Sequence, residues 1–188
     1  MPRPDRSKER IVQILGAAAK VFARDGVQGA RMEDVAKEAG LSKAAIYLYY
    51  KNKDGLVLAL LDQFFSANLD ALKLIPIGEN AAERICSWID LVSAAMQQGA
   101  HFQTVGFEFL ALAGRNEEAR AVVLDFYQHY QSAIADLLVQ DGVSPEMATQ
   151  KAQEIVALLE GINLLWMAQS GKMDFAQLAK SGVRALLS

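Results

Sequence analysis

Cysteine is almost missing from this chain: Cys86 stands alone among 188 residues, so no intrachain disulfide can form and no cysteine cluster can hold zinc. The lone thiol reads as a small buried hydrophobe, with pairing between subunits its other possible use. Histidine is nearly as scarce. His101 and His129 have no glutamate three residues ahead, which removes the Glu-x-x-His pairs of a di-iron bundle. Cys86 with a distant histidine is too little for a nucleophile and its base, so neither catalysis, nor a metal, nor a cofactor is expected. Proline is confined to four positions, and few breakers leave long helices open to most of the chain.

Long apolar runs are missing as well. The stretches Ile155 to Leu159 and Leu164 to Ala168 fall far short of the roughly 18 residues a membrane span needs. Met1 to Arg10 is basic and polar without the apolar centre of a signal peptide, so a cytoplasmic location is expected. What the chain does have is a hydrophobic fraction of 52%, enough for a sizeable core and too much for a disordered polymer.

A net charge of -3 conceals a division along the chain. Residues 1–53 hold eleven Lys and Arg against six Asp and Glu, whereas the remainder holds eight against sixteen. A polyanion should therefore meet the N-terminal end.

The periodicity is helical nearly throughout. Ile11, Ile14, Leu15, Ala18 and Phe22 recur at helical spacing, and two-residue alternation bounded by turns is missing, so an all-α protein of about nine helices is expected. The first helix is placed from Ser7 to Asp25, ended by Gly26, with Gly29 extending the break. Short helices follow at Met32 to Ala39 and Lys43 to Tyr49, the second capped by Ser42. A long helix from Lys53 to Leu74 is stopped by Pro76 and Gly78. Further helices are expected near 81–98, 101–114, 116–141, 145–170 and 174–187.

The segment from Met32 to Tyr47 meets the physical requirements of a helix-turn-helix. Ala36 is small where two helices cross, Gly40 permits a positive φ at the turn, and Val35, Leu41 and Ile46 can share a small core. An ordinary αα-hairpin uses the same spacing. The longer string decides between them: Asp34-Val35-Ala36, Ala39-Gly40-Leu41-Ser42-Lys43, Ile46-Tyr47, Tyr50 and Lys51-Asn52-Lys53-Asp54-Gly55-Leu56 resemble the DNA-binding signature of the TetR family of transcription regulators. The resemblance covers about residues 8–57, and beyond it the likeness is one of architecture. It implies a helix-turn-helix domain at 1–53 and a helical ligand-binding and dimerisation domain at 54–188.

Position by position, the resemblance implies that Ser42, Lys43 and Ala44 open the recognition helix, with Tyr47, Leu48 and Tyr49 near its far end. Tyr47 matches a phosphate-contacting tyrosine, and Lys53 a lysine that approaches the DNA backbone. Ala44, Leu48 and Tyr49 are the candidates for contact with bases, thymine methyls suiting Ala44. Two positions depart from the family pattern. Arg31 stands where a capping Thr is usual, cannot accept a backbone N–H, and is free to hold a phosphate. Tyr50 stands for the usual Phe.

In the second half, aromatics are interleaved with a few polar groups. The candidate ligand-facing set is Trp88, Phe102, Gln103, Phe107, Glu108, Phe126, His129, Tyr130, Asn163 and Trp166, on the pattern of cavities between helices, although the same side chains also serve as core. Gly99, Gly106, Gly114 and Gly161 interrupt the helical pattern, and a bent helix around 99–114 that responds to ligand is one use for them. Family resemblance assigns the last two helices to a homodimer interface through Leu158, Leu159, Ile162, Leu165, Leu178, Val183 and Leu186. Two-fold symmetry then implies a palindromic operator on double-stranded DNA.

The function expected is thus a ligand-responsive regulator, a repressor by the family's commoner mode, released by a small apolar or aromatic effector. A DNA binder without a ligand, and a helical interaction module without DNA, are the competing readings. The basic arm, Arg3, Arg6, Lys8 and Arg10, is either a solvated tail or an added phosphate contact. Deleting residues 1–6 is expected to flatten the salt dependence of DNA affinity, and an unchanged slope of log affinity against log salt would assign the arm to solvent.

Overall fold

Ile14, Leu15, Ala18, Val21 and Phe22 are all buried because their spacing puts them on one stripe of the first helix. In the computed structural model, which describes residues 6–73, 80–98, 110–169 and 171–188, that helix is α1 (Arg6–Gly29). It is followed by α2 (Met32–Glu38), α3 (Lys43–Tyr47), α4 (Lys53–Lys73), α5 (Ala81–Gln98), a helical turn α6 at 110–113, α7 (Glu117–Gln140), α8 (Pro145–Ala168) and α9 (Phe175–Leu187). The described residues contain no strand.

The helix starts share one device. At Ser42, Asn52, Asn80, Asn116, Ser144 and Asp174 a side-chain oxygen accepts the backbone N–H of the residue three positions on. Each bond satisfies one of the amides a helix leaves unpaired at its first turn.

Three boundaries differ from the periodicity. Gly26 does leave helical geometry, at φ 70 and ψ 161, but α1 resumes for one more turn as far as Gly29, and Ala30 N–H returns to the Gly26 carbonyl at 3.1 Å. Gly29 therefore extends the helix. The recognition helix ends at Tyr47, since the N–H groups of Tyr49 and Tyr50 both reach back to the Ile46 carbonyl at 3.0 Å and tighten the chain into a turn. Gly161 leaves α8 unbroken. Gly99, Gly106, Pro76 and Gly78 lie outside the described residues.

The chain divides into two compact units, formed by the described residues of 1–64 with 100–123, and of 65–99 with 124–188. In the first unit α1 packs on α2 and α2 on α3, and Val35, Ile46 and Leu56 are fully buried. In the second, α9 packs on both α5 and α8. Ile85, Ile89, Ile134, Leu138 and Ile155 form the centre of its core.

That core also takes in Leu159, Ile162 and Val183, each at most 4% exposed. They were expected to face a second subunit. Instead they are consumed inside one chain, because the same helical stripe that carries Ile155 inward carries Leu159 and Ile162 with it.

The second unit also ties a buried arginine to an acid at the surface. Arg84, 5% exposed, donates to the Asp141 carboxylate at 2.7 Å and to Gln140 at 3.1 Å. The Ala81 N–H at the start of α5 donates to the same carboxylate. The loop after α7 is thereby tied to the first turn of α5. Asp141→Ala leaves a buried guanidinium without its anion and is expected to destabilise the protein by about 2 kcal/mol. Arg84→Met with Asp141→Ala should recover much of that loss, as a double-mutant cycle of urea melts would show.

Candidate functional site

Ala39 closes α2, and Gly40, at φ 65, turns the chain. The Leu41 N–H bonds the Ala36 carbonyl at 2.8 Å and the Gly40 N–H bonds the Lys37 carbonyl at 3.1 Å, the paired reverse bonds of a Schellman motif. An added Cβ at Gly40 would meet nothing within 4 Å, so glycine is required here for its backbone alone. Gln13 of α1 donates to the Ala39 carbonyl at 2.6 Å and satisfies another exposed helix end. Ser42 then caps α3 through the Ala45 N–H at 3.1 Å.

This turn sets which way α3 faces. Ile46 is fully buried, whereas Ser42, Lys43, Ala44, Tyr47, Leu48 and Tyr49 are exposed. The spacing of Lys43, Ala44, Tyr47 and Leu48 puts the four on one side of the helix. Leu48 is 85% exposed, a large apolar side chain with no use inside its own unit. Arg31 is exposed too and makes no side-chain cap. The Asp34 carboxylate accepts the Arg31 backbone N–H at 3.3 Å, the reciprocal half of a capping box.

Charge on this face is held in check. The Lys43 ammonium hydrogen-bonds the Glu33 carboxylate and lies 5.7 Å from the centre of the Tyr47 ring, within the range of a cation–π contact. The hydrogen bond from Lys43 holds the Glu33 carboxyl below its ordinary range, and the same bond raises the Lys43 ammonium. One of the three Lys43 protons is engaged by Glu33, and a phosphate approaching the other two meets a partly neutralised charge.

Lys53 is placed differently from its expected role. Its ammonium donates to the carbonyls of Gln28 and Ala30, both at 3.1 Å, which ties the start of α4 to the end of α1. Two of its three protons are spent on the fold, so one remains for a DNA phosphate.

Of the residues expected to face a ligand, Trp88 and Tyr130 are buried and in ring contact, with centroids 5.4 Å apart. Phe126 stacks at 5.6 Å on Tyr130 and at 5.2 Å on Tyr127. Trp166 packs on the edge of the same core, and Asn163 is half-buried. His129 does not join them: it is exposed, and its ring bonds the Asp125 carbonyl one turn earlier on α7 at 2.8 Å. It sits on the solvent side because Phe126, Tyr130 and Ile134 occupy the inward stripe of α7. Phe102, Gln103, Phe107 and Glu108 lie outside the described residues.

Two groups in this region were missed from the sequence. Tyr127 and Glu160 stand beside Asn163, and burial pushes both the Tyr127 phenol and the Glu160 carboxyl above their ordinary ranges. The available signal was spacing, since Glu160 precedes Asn163 by three residues and is the lone acid in the apolar stretch from Ile155 to Ala168.

At the far end of the chain, Leu165 and Leu178 are about half exposed, as is Leu164. Leu158 and Leu186 are partly buried against the core of the second unit. No helix among the described residues is long and apolar enough to cross a membrane.

Comparison with known proteins assigns a family to this arrangement. Residues 14–60 match the family model of bacterial regulatory proteins, tetR family, and residues 81–181 match that of the C-terminal domain of LmrA/YxaF-like transcriptional regulators. The chain is 26% identical over 183 residues to the HTH-type nicotine-responsive transcriptional repressor HdnoR of Paenarthrobacter nicotinovorans, covering 95% of this chain and 94% of that protein. It is 21% identical to the fatty acid metabolism regulator protein of Bacillus subtilis, covering 97% and 96%.

Among solved structures, FadR from Bacillus subtilis in complex with stearoyl-CoA superposes with a TM-score of 0.75 at 22% identity, over 94% of this chain and 97% of that one. A TetR transcription regulator from Haloarcula marismortui reaches 0.83 at 16% identity, over 95% and 96%. With a helix-turn-helix at its N-terminal end and a helical bundle after it, this chain belongs to the TetR family of transcriptional regulators, whose members are DNA-binding proteins and not enzymes.

Proposed function

We propose that this protein is a ligand-responsive regulator, acting in the cytoplasm as a repressor, that binds a palindromic operator as a homodimer and is released by a small apolar or aromatic effector. The observation that carries the DNA half of this reading is the exposed face of α3, on which Lys43, Ala44, Tyr47 and Leu48 project opposite the buried Ile46. A phenol and an ammonium suit phosphate oxygens, while Ala44 and Leu48 suit thymine methyls. Residues 1–53 serve as the reading head. Residues 54–188 serve sensing and pairing. Nicotine response in one relative and an acyl-CoA in one neighbour, by their names, support an effector with substantial apolar surface.

The pairing surface is narrower than the full apolar content of α8 and α9. Leu165 and Leu178, with Leu164, are the large exposed apolar side chains there apart from Met147 in the first turn of α8, and Leu158 and Leu186 are partly buried against the core. A patch of this kind on the last two helices is matched by a second copy of itself across a two-fold axis. Leu159, Ile162 and Val183 stabilise each subunit from within.

Selection from a random duplex library at fixed salt is expected to enrich an inverted repeat, and the absence of any enrichment by the folded protein would overturn operator recognition. Lys43→Ala is expected to weaken binding across all sequences and to reduce the slope of log affinity against log salt by about 1. Leu48→Ala should instead relax sequence preference at one position of each half-site.

Replacing Leu165 and Leu178 with Lys is expected to give folded monomers on sedimentation with weak operator affinity. A dimer of unchanged stability would refute this interface. Lysine at Leu159 or Ile162 should unfold the chain, because a buried unpaired ammonium costs several kcal/mol, on the order of the whole stability of a small domain.

A further inference from the structure

The second unit contains a carboxylate in an aromatic setting that the fold does not explain. Glu160 projects from α8 toward Tyr127 of α7, with Asn163 one turn further along its own helix. Burial raises its carboxyl, and the hydrogen bonds of Tyr127 and Asn163 draw it only partly back. Neither lysine nor arginine among the described residues pairs with it. This contrasts with Glu83, Asp90 and Asp141 of the same unit, each of which has a cation within 3.2 Å.

From Tyr127, which hydrogen-bonds Glu160, the aromatic rings run on continuously. Trp88 meets Tyr130 at 5.4 Å, Tyr130 meets Phe126 at 5.6 Å, and Phe126 meets Tyr127 at 5.2 Å. Two polar atoms in the same region are buried without a partner among the described residues: the Trp88 indole N–H and the Asn163 side-chain carbonyl. Buried polar groups are ordinarily satisfied, and an unpaired donor, an unpaired acceptor and an unpaired acid in one place are costly unless something else completes them.

We infer that Glu160, with the rings of Trp88, Phe126, Tyr127 and Tyr130, forms a site for an organic cation, an amine or quaternary ammonium, phosphonium or iminium group carried on an apolar body. A carboxylate supplies the countercharge, and aromatic faces attract a soft, weakly hydrated cation while offering apolar contact to its substituents. An inorganic cation would not leave its water for rings. A fatty or anionic ligand would be repelled by the acid. The Asn163 carbonyl suits an N–H of a protonated amine, and the Trp88 N–H suits an acceptor elsewhere on the same molecule.

This assignment rests on the proposed ligand response and specifies its chemistry. It carries a pH signature. A cation binds the ionised carboxylate, so affinity is full above the Glu160 pKa of the free protein and falls as pH drops through it. The other titratable groups facing the site from the described helices are the phenols of Tyr127 and Tyr130, both pushed upward by burial, and they stay neutral through that range.

The test uses two ions of equal shape and opposite charge, tetraphenylphosphonium and tetraphenylborate, with neutral triphenylphosphine oxide as the third probe. Binding to the full-length protein is read by calorimetry and by Trp quenching, and operator release by fluorescence anisotropy. The phosphonium is expected to bind at least about tenfold more tightly than the borate and to release the operator. Glu160→Gln should lose about tenfold for the phosphonium, abolish the pH dependence and leave the phosphine oxide unaffected. Because Glu160→Gln could disturb packing, Tyr127→Phe serves as the second variant, expected to keep its ring and hold phosphonium affinity within about threefold.

If all three probes bind and release the operator alike, and Glu160→Gln changes nothing, ligand response stands and cation recognition is overturned. If no probe binds or shifts operator affinity at any pH, the site itself is overturned together with the effector reading built on it.

Discussion

A helix of five residues cannot hold itself together in water, since nucleation costs more than so few hydrogen bonds return. Yet α3 has to present its side chains in a fixed direction. The constraint that allows this is the turn between α2 and α3, where the reverse bonds from Gly40 and Leu41 fix the exit of one helix and the Ser42 hydroxyl fixes the entry of the next. Burial of Val35 and Ile46 then holds both helices on α1. The outward direction of Lys43, Ala44, Tyr47 and Leu48 follows from these few contacts, and Lys53 adds a further tie by bridging α4 to the carbonyls at the end of α1.

Rigidity of this kind has an electrostatic counterpart. Two cations of the reading head are already engaged, Lys43 with Glu33 and Lys53 with carbonyls. Exposed pairs of this sort contribute little to stability, and their effect here is to reduce the net charge that a phosphate meets. The strongly basic segment is thus less sticky toward polyanions at large than its count of Lys and Arg implies, which favours discrimination over indiscriminate attraction.

The second unit is organised by apolar burial, with polar groups placed where they do specific work. Arg84 and Asp141 close a loop onto a helix start, a pair between a buried guanidinium and a surface acid. Glu160 differs because its surroundings are rings instead of a guanidinium.

Much of this was legible in the residues. Helical period, the Gly40 and Ser42 signals, the alignment of Ile14, Ala18 and Phe22, and the division of charge are local properties, and the backbone answers to them within a turn or two. The signature from Asp34 to Leu56 was legible for the same reason, since a small domain held by neighbouring residues leaves its requirements in a continuous stretch. What lay beyond local reading was the use of each apolar or polar side chain. Leu159 and Leu165 differ by a rotation about one helix axis, and only the packing of α8 against α9 and its neighbours decided that the first is core and the second is surface. His129 was drawn outward and Glu160 inward on the same principle. Composition and spacing determined that this chain is helical, and the resemblance of the stretch from Asp34 to Leu56 to a family signature placed a DNA-reading head near its start, because both depend on residues close in sequence. Tertiary structure decided which buried acid has no cation beside it among the described residues, which lysine ties the fold together and which leucines stay exposed, because burial depends on residues the chain brings together from far apart.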